Sequence, residues 1–412
     1  KFWQANPFLR KNVSEFKLKA SYATVGNRLG GFPYLSTFGS RPYGNISGIA
    51  VAAIGNPDLQ WEQSKKYDIG FELGLLNNKI NISFDYFKND LDNLVLAVPT
   101  PFSTGVPLNQ INQNIGRVQN KGVELTFNAT IVRKKDFEWN FNFNYTHIKN
   151  KIISLYSIAG VPVTELFPSN YNINRIGESI NSIFGYEFAG VNSGNGNPVY
   201  YNAGGQLVQR NIQTGGYHFA NSMSDPTLGA ATSLTTADKK ILGSAQPTDF
   251  GAFTNTFSYK GFELDIMFRY QTGNKIMNIT RQEVLLNQRF ANSGTEILNR
   301  WTTPGQITDV PKIWYAQDAV VNQNLEAISR FVEDGSFLRL QNIVMSYTID
   351  SKKLKDISNN AIKSARFFIQ AQNVHVWTKY RGIDPEAYSE DGQDNNISPQ
   401  VRNMPSGVTP AL

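Results

Sequence analysis

The residue types that most often perform chemistry are sparse in this chain. It contains no cysteine and only three histidines, His147, His218 and His375. The histidines lie far apart in sequence and lack the ligand spacing of a metal site. Serine is plentiful, but no nucleophile-elbow pattern accompanies it. The sequence therefore predicts neither an enzyme nor a metal centre.

Acidic residues cluster most clearly near the end of the sequence. Clustered carboxylates can coordinate Ca²⁺, but this group lacks the alternating spacing of the usual calcium loop. We therefore expect no cofactor, and Ca²⁺ at this segment stays open as the alternative. The residues are Asp384, Glu386, Glu390, Asp391 and Asp394.

Aromatic residues in the long polar segments are the candidates for ligand contact. Sugar rings stack on aromatic faces, and hydroxyl groups need fixed hydrogen-bond partners such as amides. The alternative is that these rings pack the segments against each other or form an interfacial girdle. The candidates are Tyr34, Phe38 and Tyr43 in one segment, Tyr171 in a second, and Trp314 with Tyr315 in a third.

The elements that would position these segments are β-strands with a period of two, because residues i, i+2 and i+4 share one face of a strand. From Phe137 to Tyr145 every second residue is aromatic, and the residues between them are polar. A soluble β-sandwich would leave such strips without a burying partner. The pattern favours strands that face lipid.

About nine segments show this pattern at the length of a tilted membrane strand. Short turns and long polar segments alternate between them, as periplasmic turns and extracellular loops do in outer-membrane barrels. We therefore predict an all-β fold, a transmembrane antiparallel β-barrel in the cell outer membrane. The segments are Phe16–Val25, Tyr67–Leu75, Lys79–Phe87, Gly122–Ile131, Phe137–His147, Phe250–Tyr259, Phe262–Tyr270, Ser336–Ile349 and Ala365–Trp377.

Composition excludes other classes of protein. Only 17% of the 412 residues are charged, below the quarter that is usual in globular domains. No run approaches the roughly 18 to 20 consecutive apolar residues of a membrane-spanning helix. The net charge is +6, but the basic residues are scattered singly, which favours contact with outer-membrane lipid headgroups over nucleic acid.

Strand parity sets two further expectations. Because consecutive strands run in opposite directions, the stretch 150–249 should begin and end on the outer side. The apolar segment Ser182–Val191 is then expected to belong to an extracellular excursion. A single-chain bacterial barrel has an even number of strands and no open edge, so at least one closing strand is expected after Leu412.

Several motifs resemble those of the SusC/RagA family of TonB-dependent transporters. Asn56–Glu62 followed by Tyr67–Gly70 is similar to the family signature NPDLKWE…YNIG. Further matches follow in the same order. They are Asn114–Gly116, Asn120–Leu125, Phe184–Tyr186, Ser258–Leu264, Arg300–Thr302, Glu333–Asn342, Gln372–Val374, Trp377–Tyr380 and Gly382–Glu386.

The resemblance implies a nutrient importer. Barrels of that family have 22 strands, so residues 1–412 would be the C-terminal part of the barrel, about strands 13 to 21. The plug domain, the TonB box and the last strand would lie outside this chain. Family members usually bind a SusD-like lipoprotein that captures oligosaccharides or peptides at the extracellular face, and the TonB complex powers transport through the plug.

Two other functions stay open. One is a TonB-dependent receptor for a chelated metal or vitamin, which the SusC/RagA motifs disfavour. The other is a barrel that anchors or assembles surface proteins without transport. A plug with a TonB box in the full-length protein would favour import over the anchor.

The motif residues themselves are expected to be structural. Gly122 and Gly261 are interpreted as turn residues. Three polar residues are interpreted as lumen or loop groups that hold the barrel together, because unpaired charge there would be costly. Asn192–Gln206 is similar to a family loop that is often richer in Asp, so Ca²⁺ is not favoured there. The three polar residues are Glu62, Glu333 and Arg339.

Overall fold

Long antiparallel strands dominate the fold. The computed structural model describes residues 6–27, 30–114, 116–158, 161–288, 292–322, 326–349, 362 and 364–386. All nine predicted strands are confirmed within these residues, and most extend beyond their predicted ends. They are β1 (Val13–Asn27), β2 (Glu62–Leu75), β3 (Ile80–Asp92), β4 (Arg117–Arg133), β5 (Phe137–Ser154), β6 (Asp249–Tyr259), β7 (Phe262–Thr272), β8 (Phe337–Ile349) and β9 (Ala365–Thr378).

Contacts divide the described residues into two compact units. The first lies within Lys1–Ile131, Asn142–Leu166 and Arg175–Ser179, and the second within Val132–Phe141, Phe167–Asn174 and Ile180–Leu412. Strand β5 therefore contributes its first five residues to the second unit and the remainder to the first.

In the first unit, β1, β2, β3 and β4 pair antiparallel in sequence order. The period-two pattern places aromatic residues of neighbouring strands side by side, such as Phe71 and Phe84, whose ring centroids lie 5.7 Å apart. The opposite face carries charges that pair across strands, because Lys19 Nζ lies 2.9 Å from Asp85 Oδ1 and Lys17 Nζ lies 3.2 Å from Glu72 Oε2. Arg117 Nη2 lies 3.0 Å from Asp90 Oδ2 on the same sheet.

In the second unit, β6, β7, β8 and β9 pair antiparallel in sequence order. Phe253 and Phe268 stack with centroids 4.9 Å apart. The register shifts between Leu340 and Asn342, where β8 pairs with β9. Such a bulge lets one extra residue enter the strand without breaking the sheet.

The predicted short turns are confirmed. Leu76, Asn77 and Asn78 connect β2 to β3 with φ values of 51°, 57° and 61°. Lys260 and Gly261 connect β6 to β7 with φ values of 47° and 89°. Two residues with positive φ make the hairpin turn whose twist matches that of the strands, and Gly and Asn adopt this conformation most easily.

The long segments of the second unit fold into small sheets with their own core. Buried side chains from residues 171 to 331, including Tyr200, Met277, Ile279 and Phe331, pack in one cluster. The main short strands are Asn172–Arg175, Ser182–Tyr186, Phe188–Val191, Pro198–Tyr201, Leu207–Arg210, Tyr217–Phe219, Ala231–Thr232, Lys240–Gly243, Lys275–Met277, Ala327–Ile328 and Val332–Asp334.

The segment Ser182–Val191 lies outside the nine long strands. Its two strands, Ser182–Tyr186 and Phe188–Val191, pair with other short strands in two different small sheets. Gly185 pairs with Ala327 in parallel, and a Cβ on Gly185 would lie 2.0 Å from the Ala327 carbonyl oxygen. The absence of a side chain there allows the two backbones to approach.

Helices are few and short in the described residues. They comprise the α-helices Pro7–Asn12 and Asp318–Val321, a π-helix at Thr280–Leu285 and several 3-10 turns.

None of the described helices has the length and hydropathy needed to cross a membrane.

Candidate ligand-binding surfaces

The first candidate surface belongs to the segment between β1 and β2. A small hairpin, Thr37–Ser40 paired with Ile49–Ala53, organises this segment. Three of the predicted ligand-contact residues lie on or beside it and are open to solvent: Tyr34 is 47% exposed, Phe38 68% and Tyr43 89%. Sequence reasoning missed Trp61, which is 69% exposed at the end of the same segment.

The second candidate surface belongs to the segment between β7 and β8. Trp314 is 41% exposed and Tyr315 60%. The backbone N–H of Trp314 donates to Gln288 Oε1 at 3.0 Å, so a buried amide fixes the chain at this point. Ile307 and Ile313 are also exposed on this segment. The two predicted aromatics therefore present accessible faces.

Tyr171 differs from the other candidates, because the structure places it in the core. Its side chain is only 6% exposed and packs with Ile183 and Leu286. Its hydroxyl donates to Glu283 Oε1 at 3.2 Å. Packing accounts for this side chain, which offers no open face to a ligand in this structure.

A buried group of charges links the segments of the second unit. Arg281, 1% exposed, donates through Nε and Nη2 to the two carboxylate oxygens of Glu296 at 2.7 and 2.5 Å. Its Nη1 also lies 3.3 Å from Glu333 Oε1. Glu333 in turn accepts the backbone N–H of Arg381 at 2.8 Å. Residues distant in sequence are thereby tied together by charge-assisted hydrogen bonds.

The electrostatics of this group favour charged forms for the Arg281 and Glu296 pair. Burial alone would lower the pKa of Arg281, but the hydrogen bonds and charge of Glu296 outweigh it and raise that pKa. Burial alone would raise the pKa of Glu296, but Arg281 lowers it. Arg330 has no carboxylate within hydrogen-bonding distance in the described residues, so burial, reinforced by Arg281, lowers its pKa to about 10. Both guanidiniums lie over the Phe331 ring, at 5.2 and 5.0 Å.

The motif residues make structural contacts. The interpretation of one of them has to be corrected. Glu62 accepts from Asn27 Nδ2 at 2.8 Å and from the backbone N–H of Val95 at 3.2 Å, which joins two loops. Gly261 is a turn residue as predicted. The interpretation of Gly122 as a turn residue is wrong, because it lies inside β4, where a Cβ would stand 1.9 Å from the His147 carbonyl oxygen.

Four amide side chains in β8 and β9, three of them motif residues, surround the bulge between these strands. Gln341 Nε2 donates to Asn373 Oδ1, and Gln370 Nε2 donates to Asn342 Oδ1, both at 2.9 Å. Asn373 adopts a φ of 51°. These bonds join the side chains of the two strands beside the register shift.

The Asn-rich segment 192–206 forms a turn held by amides. Asn192, Asn195 and Asn197 direct their Nδ2 groups to the single oxygen Gln209 Oε1, at 3.4, 2.8 and 3.5 Å. Gln209 is fully buried. Three amide donors of the turn therefore share one buried acceptor.

The remaining candidate ligands for a metal do not converge in the described residues. No group of three or more His, Asp or Glu side chains there is arranged to hold an ion. His218 Nδ1 lies 3.1 Å from the Gly229 carbonyl oxygen, and His375 packs edge-on against Trp377 at 4.6 Å. Asp384 and Glu386 pair with arginines. Glu390, Asp391 and Asp394 lie outside the described residues.

Comparisons with known proteins agree with this architecture. The family model described as TonB dependent receptor-like, beta-barrel, matches residues 2–287. TonB-dependent receptor P3 of Formosa agariphila is 31% identical over 416 residues, covering 96% of this chain and 39% of that protein. TonB-dependent receptor SusC of Bacteroides thetaiotaomicron is 23% identical, covering 96% of this chain and 37% of that protein.

Solved structures show the same likeness. The structure of the RagAB peptide transporter superimposes with a TM-score of 0.76 and 26% identity, covering 93% of this chain and 40% of the matched chain. This chain thus spans about two fifths of the length of the proteins that it matches.

The family match covers more than half of the chain, and relatives named SusC and RagAB confirm the resemblance drawn from the motifs. The chain belongs to the TonB-dependent receptor-like β-barrel family, whose members are receptors and transporters and not enzymes.

Proposed function

We propose that this chain is the barrel part of a SusC-like, TonB-dependent importer of oligomeric nutrients in the outer membrane. The observation that carries the proposal is the combination of tight turns on alternate connections with long outer segments that fold around a core of their own. Open aromatic faces on these segments fit the capture of a ligand. The TonB complex would act through the plug, which the N-terminal part of the full-length protein would supply.

The partner at the extracellular face is proposed to be a SusD-like lipoprotein. Two relatives support this, because one carries the name SusC and the other was solved as the RagAB peptide transporter. The exposed apolar side chains of the outer segments, such as Tyr43, Ile49 and Ile307, add support. They are 89%, 80% and 94% exposed, so each is open to contact with a partner.

The proposed substrates are oligosaccharides or peptides. Aromatic faces bind both, since sugar rings and peptide side chains stack on them. The proposed contacts are Tyr34, Phe38 and Tyr43 in the first unit and Trp314 and Tyr315 in the second. No cofactor is proposed.

Uptake in the native bacterium tests the proposal. The full-length gene would be compared with a variant that lacks the N-terminal TonB-contacting region, and cells would be supplied with fluorescent oligosaccharides and fluorescent peptides. We expect one substrate class to enter, entry to be lost in the variant, and a surface lipoprotein to co-purify. If neither class enters, or if entry survives the truncation at equal protein levels, TonB-dependent import is wrong and the anchor function is favoured.

A further inference from the structure

Two arginines stand directly opposite each other on neighbouring strands. Arg269 of β7 and Arg339 of β8 are paired residues in the sheet. Both guanidiniums lie over the ring of Phe337, at 5.7 and 5.5 Å. Like charges at directly opposite positions destabilise a sheet, so this arrangement requires a balancing negative group.

The chain supplies that group from the segment after β9. Arg339 Nη2 lies 2.6 Å from Asp384 Oδ1 and 2.8 Å from Glu386 Oε2. The other oxygen of Glu386 accepts from Arg269 Nη2. Glu386 therefore bridges the two arginines, with one carboxylate oxygen on each guanidinium.

We call Tyr380–Glu386 the strap. Its first residue is anchored, because Tyr380 is 6% exposed. Gly382 packs so closely on the Tyr380 ring that a Cβ would stand 2.2 Å from it. Beyond this point Ile383 is 79% exposed and contributes no apolar anchor. The end of the strap is therefore fixed by the burial of Pro385 and by the ionic contacts of its two carboxylates.

The arginine pair also has unused donors. The Nε groups of Arg269 and Arg339 are buried and have no hydrogen-bond partner in the described residues. The Arg269 side chain is 44% exposed and that of Glu386 is 25% exposed, whereas that of Arg339 is only 6% exposed, so solutes reach the pair from the Arg269 side. A partly exposed ion pair such as that of Arg269 with Glu386 contributes little net stability.

We propose that Arg269 and Arg339 form a carboxylate-binding clamp that the strap fills with its own carboxylates, and that a free carboxylate ligand competes for the clamp and releases the strap. The clamp is defined by residues of this chain alone. The clamp proposal is therefore independent of the proposed import function.

The test measures strap mobility in the purified full-length protein. Since this chain has no cysteine, Ile383→Cys gives one nitroxide position in it for electron paramagnetic resonance. Glutarate is the probe, and chloride at matched ionic strength controls for screening. We expect glutarate to mobilise the label at concentrations where chloride does not. A response equal to that of chloride, or no response, would overturn the proposal.

Variants separate competition from simple loosening. Glu386→Gln removes the competing carboxylate, so half-maximal mobilisation should need about fivefold less glutarate, as loss of about 1 kcal/mol implies. Arg269→Gln should loosen the strap without glutarate and abolish the response. Arg133→Gln removes an exposed pair with Glu138 at 2.9 Å and should respond like the unmodified protein. If Glu386→Gln leaves the glutarate dependence unchanged, the Glu386 carboxylate does not compete with glutarate for the clamp.

Discussion

Lys19 and Asp85 form an ion pair across an intervening strand, with Lys19 Nζ 2.9 Å from Asp85 Oδ1. Lys19 is on β1 and Asp85 on β3, and both pair with Gly70 of β2. The missing side chain of Gly70 opens the space that this contact needs. The glycine of the Tyr67–Gly70 motif is thus explained by a contact between its two neighbours.

Gly70→Ala should destabilise the first unit. A Cβ at this position would stand 2.1 Å from Asp85 Oδ1 and 2.3 Å from the Phe84 carbonyl oxygen. Overpacking of this kind costs about 1 to 3 kcal/mol. The melting temperature of the purified protein should fall, whereas Gly204→Ala, whose Cβ would have no neighbour nearer than 3.4 Å, should leave it unchanged. Equal effects of both substitutions would contradict the assigned role of Gly70.

Trp139 and Asn255 should behave as an energetically coupled pair. Trp139 Nε1 donates to Asn255 Oδ1 at 3.1 Å on half-buried strand faces, and the indole stacks on Phe257 at 5.6 Å. Trp139→Phe keeps a ring but leaves the amide without its donor, which costs about 1 to 2 kcal/mol. Adding Asn255→Leu should recover most of that loss, because both polar groups are then gone. A double-mutant cycle on thermal stability measures the coupling, and simple additivity would exclude it.

The buried pair of Arg281 and Glu296 should make stability depend on pH. Because the pKa of Glu296 is lowered in the folded protein, its contribution is complete above the ordinary Glu pKa and is lost as pH falls through the lowered value. Glu296→Gln should therefore destabilise by about 2 kcal/mol at pH 7. That deficit should shrink steadily under acid conditions.

Melting temperatures of the two proteins across the acid range provide the measurement. The control is Glu187→Gln, which breaks a more exposed pair with Lys240 and should have little effect at any pH. A deficit for Glu296→Gln that stays constant down to strongly acid pH would rule out the linkage.

The exposed aromatics should matter for ligand capture and little for folding. Trp314→Ala with Tyr315→Ala should weaken binding of the proposed oligomeric ligand by about tenfold, since each stacked ring contributes about 0.5 to 1.5 kcal/mol. Phe102→Ala is a matched control, because Phe102 is 85% exposed in a different segment. Binding is measured by titrating fluorescent oligomer into the full-length protein. Equal losses in the control would remove these residues from the site.

The alternation of apolar and polar residues was sufficient to locate the strands in the sequence. Side chains at i and i+2 must share a face, so the apolar strip from Phe137 to Tyr145 could only be read as a strand with two different environments. The turns at Asn77 and Gly261 followed from the same sequence, because Asn and Gly tolerate positive φ. The family motifs then supplied the fold that these elements build.

Only the tertiary structure decided what individual side chains do. Tyr171 and Tyr43 are both tyrosines in polar segments, yet one is 6% exposed and the other 89%, because burial depends on segments far away in sequence. Gly122 resembles a turn residue in the sequence, but the structure places it inside β4, next to the His147 carbonyl oxygen on β5. The pairing of Arg269 and Arg339 with Asp384 and Glu386 joins residues more than forty positions apart. Contacts over such distances are set by strand register and chain reversal, which local sequence patterns do not encode.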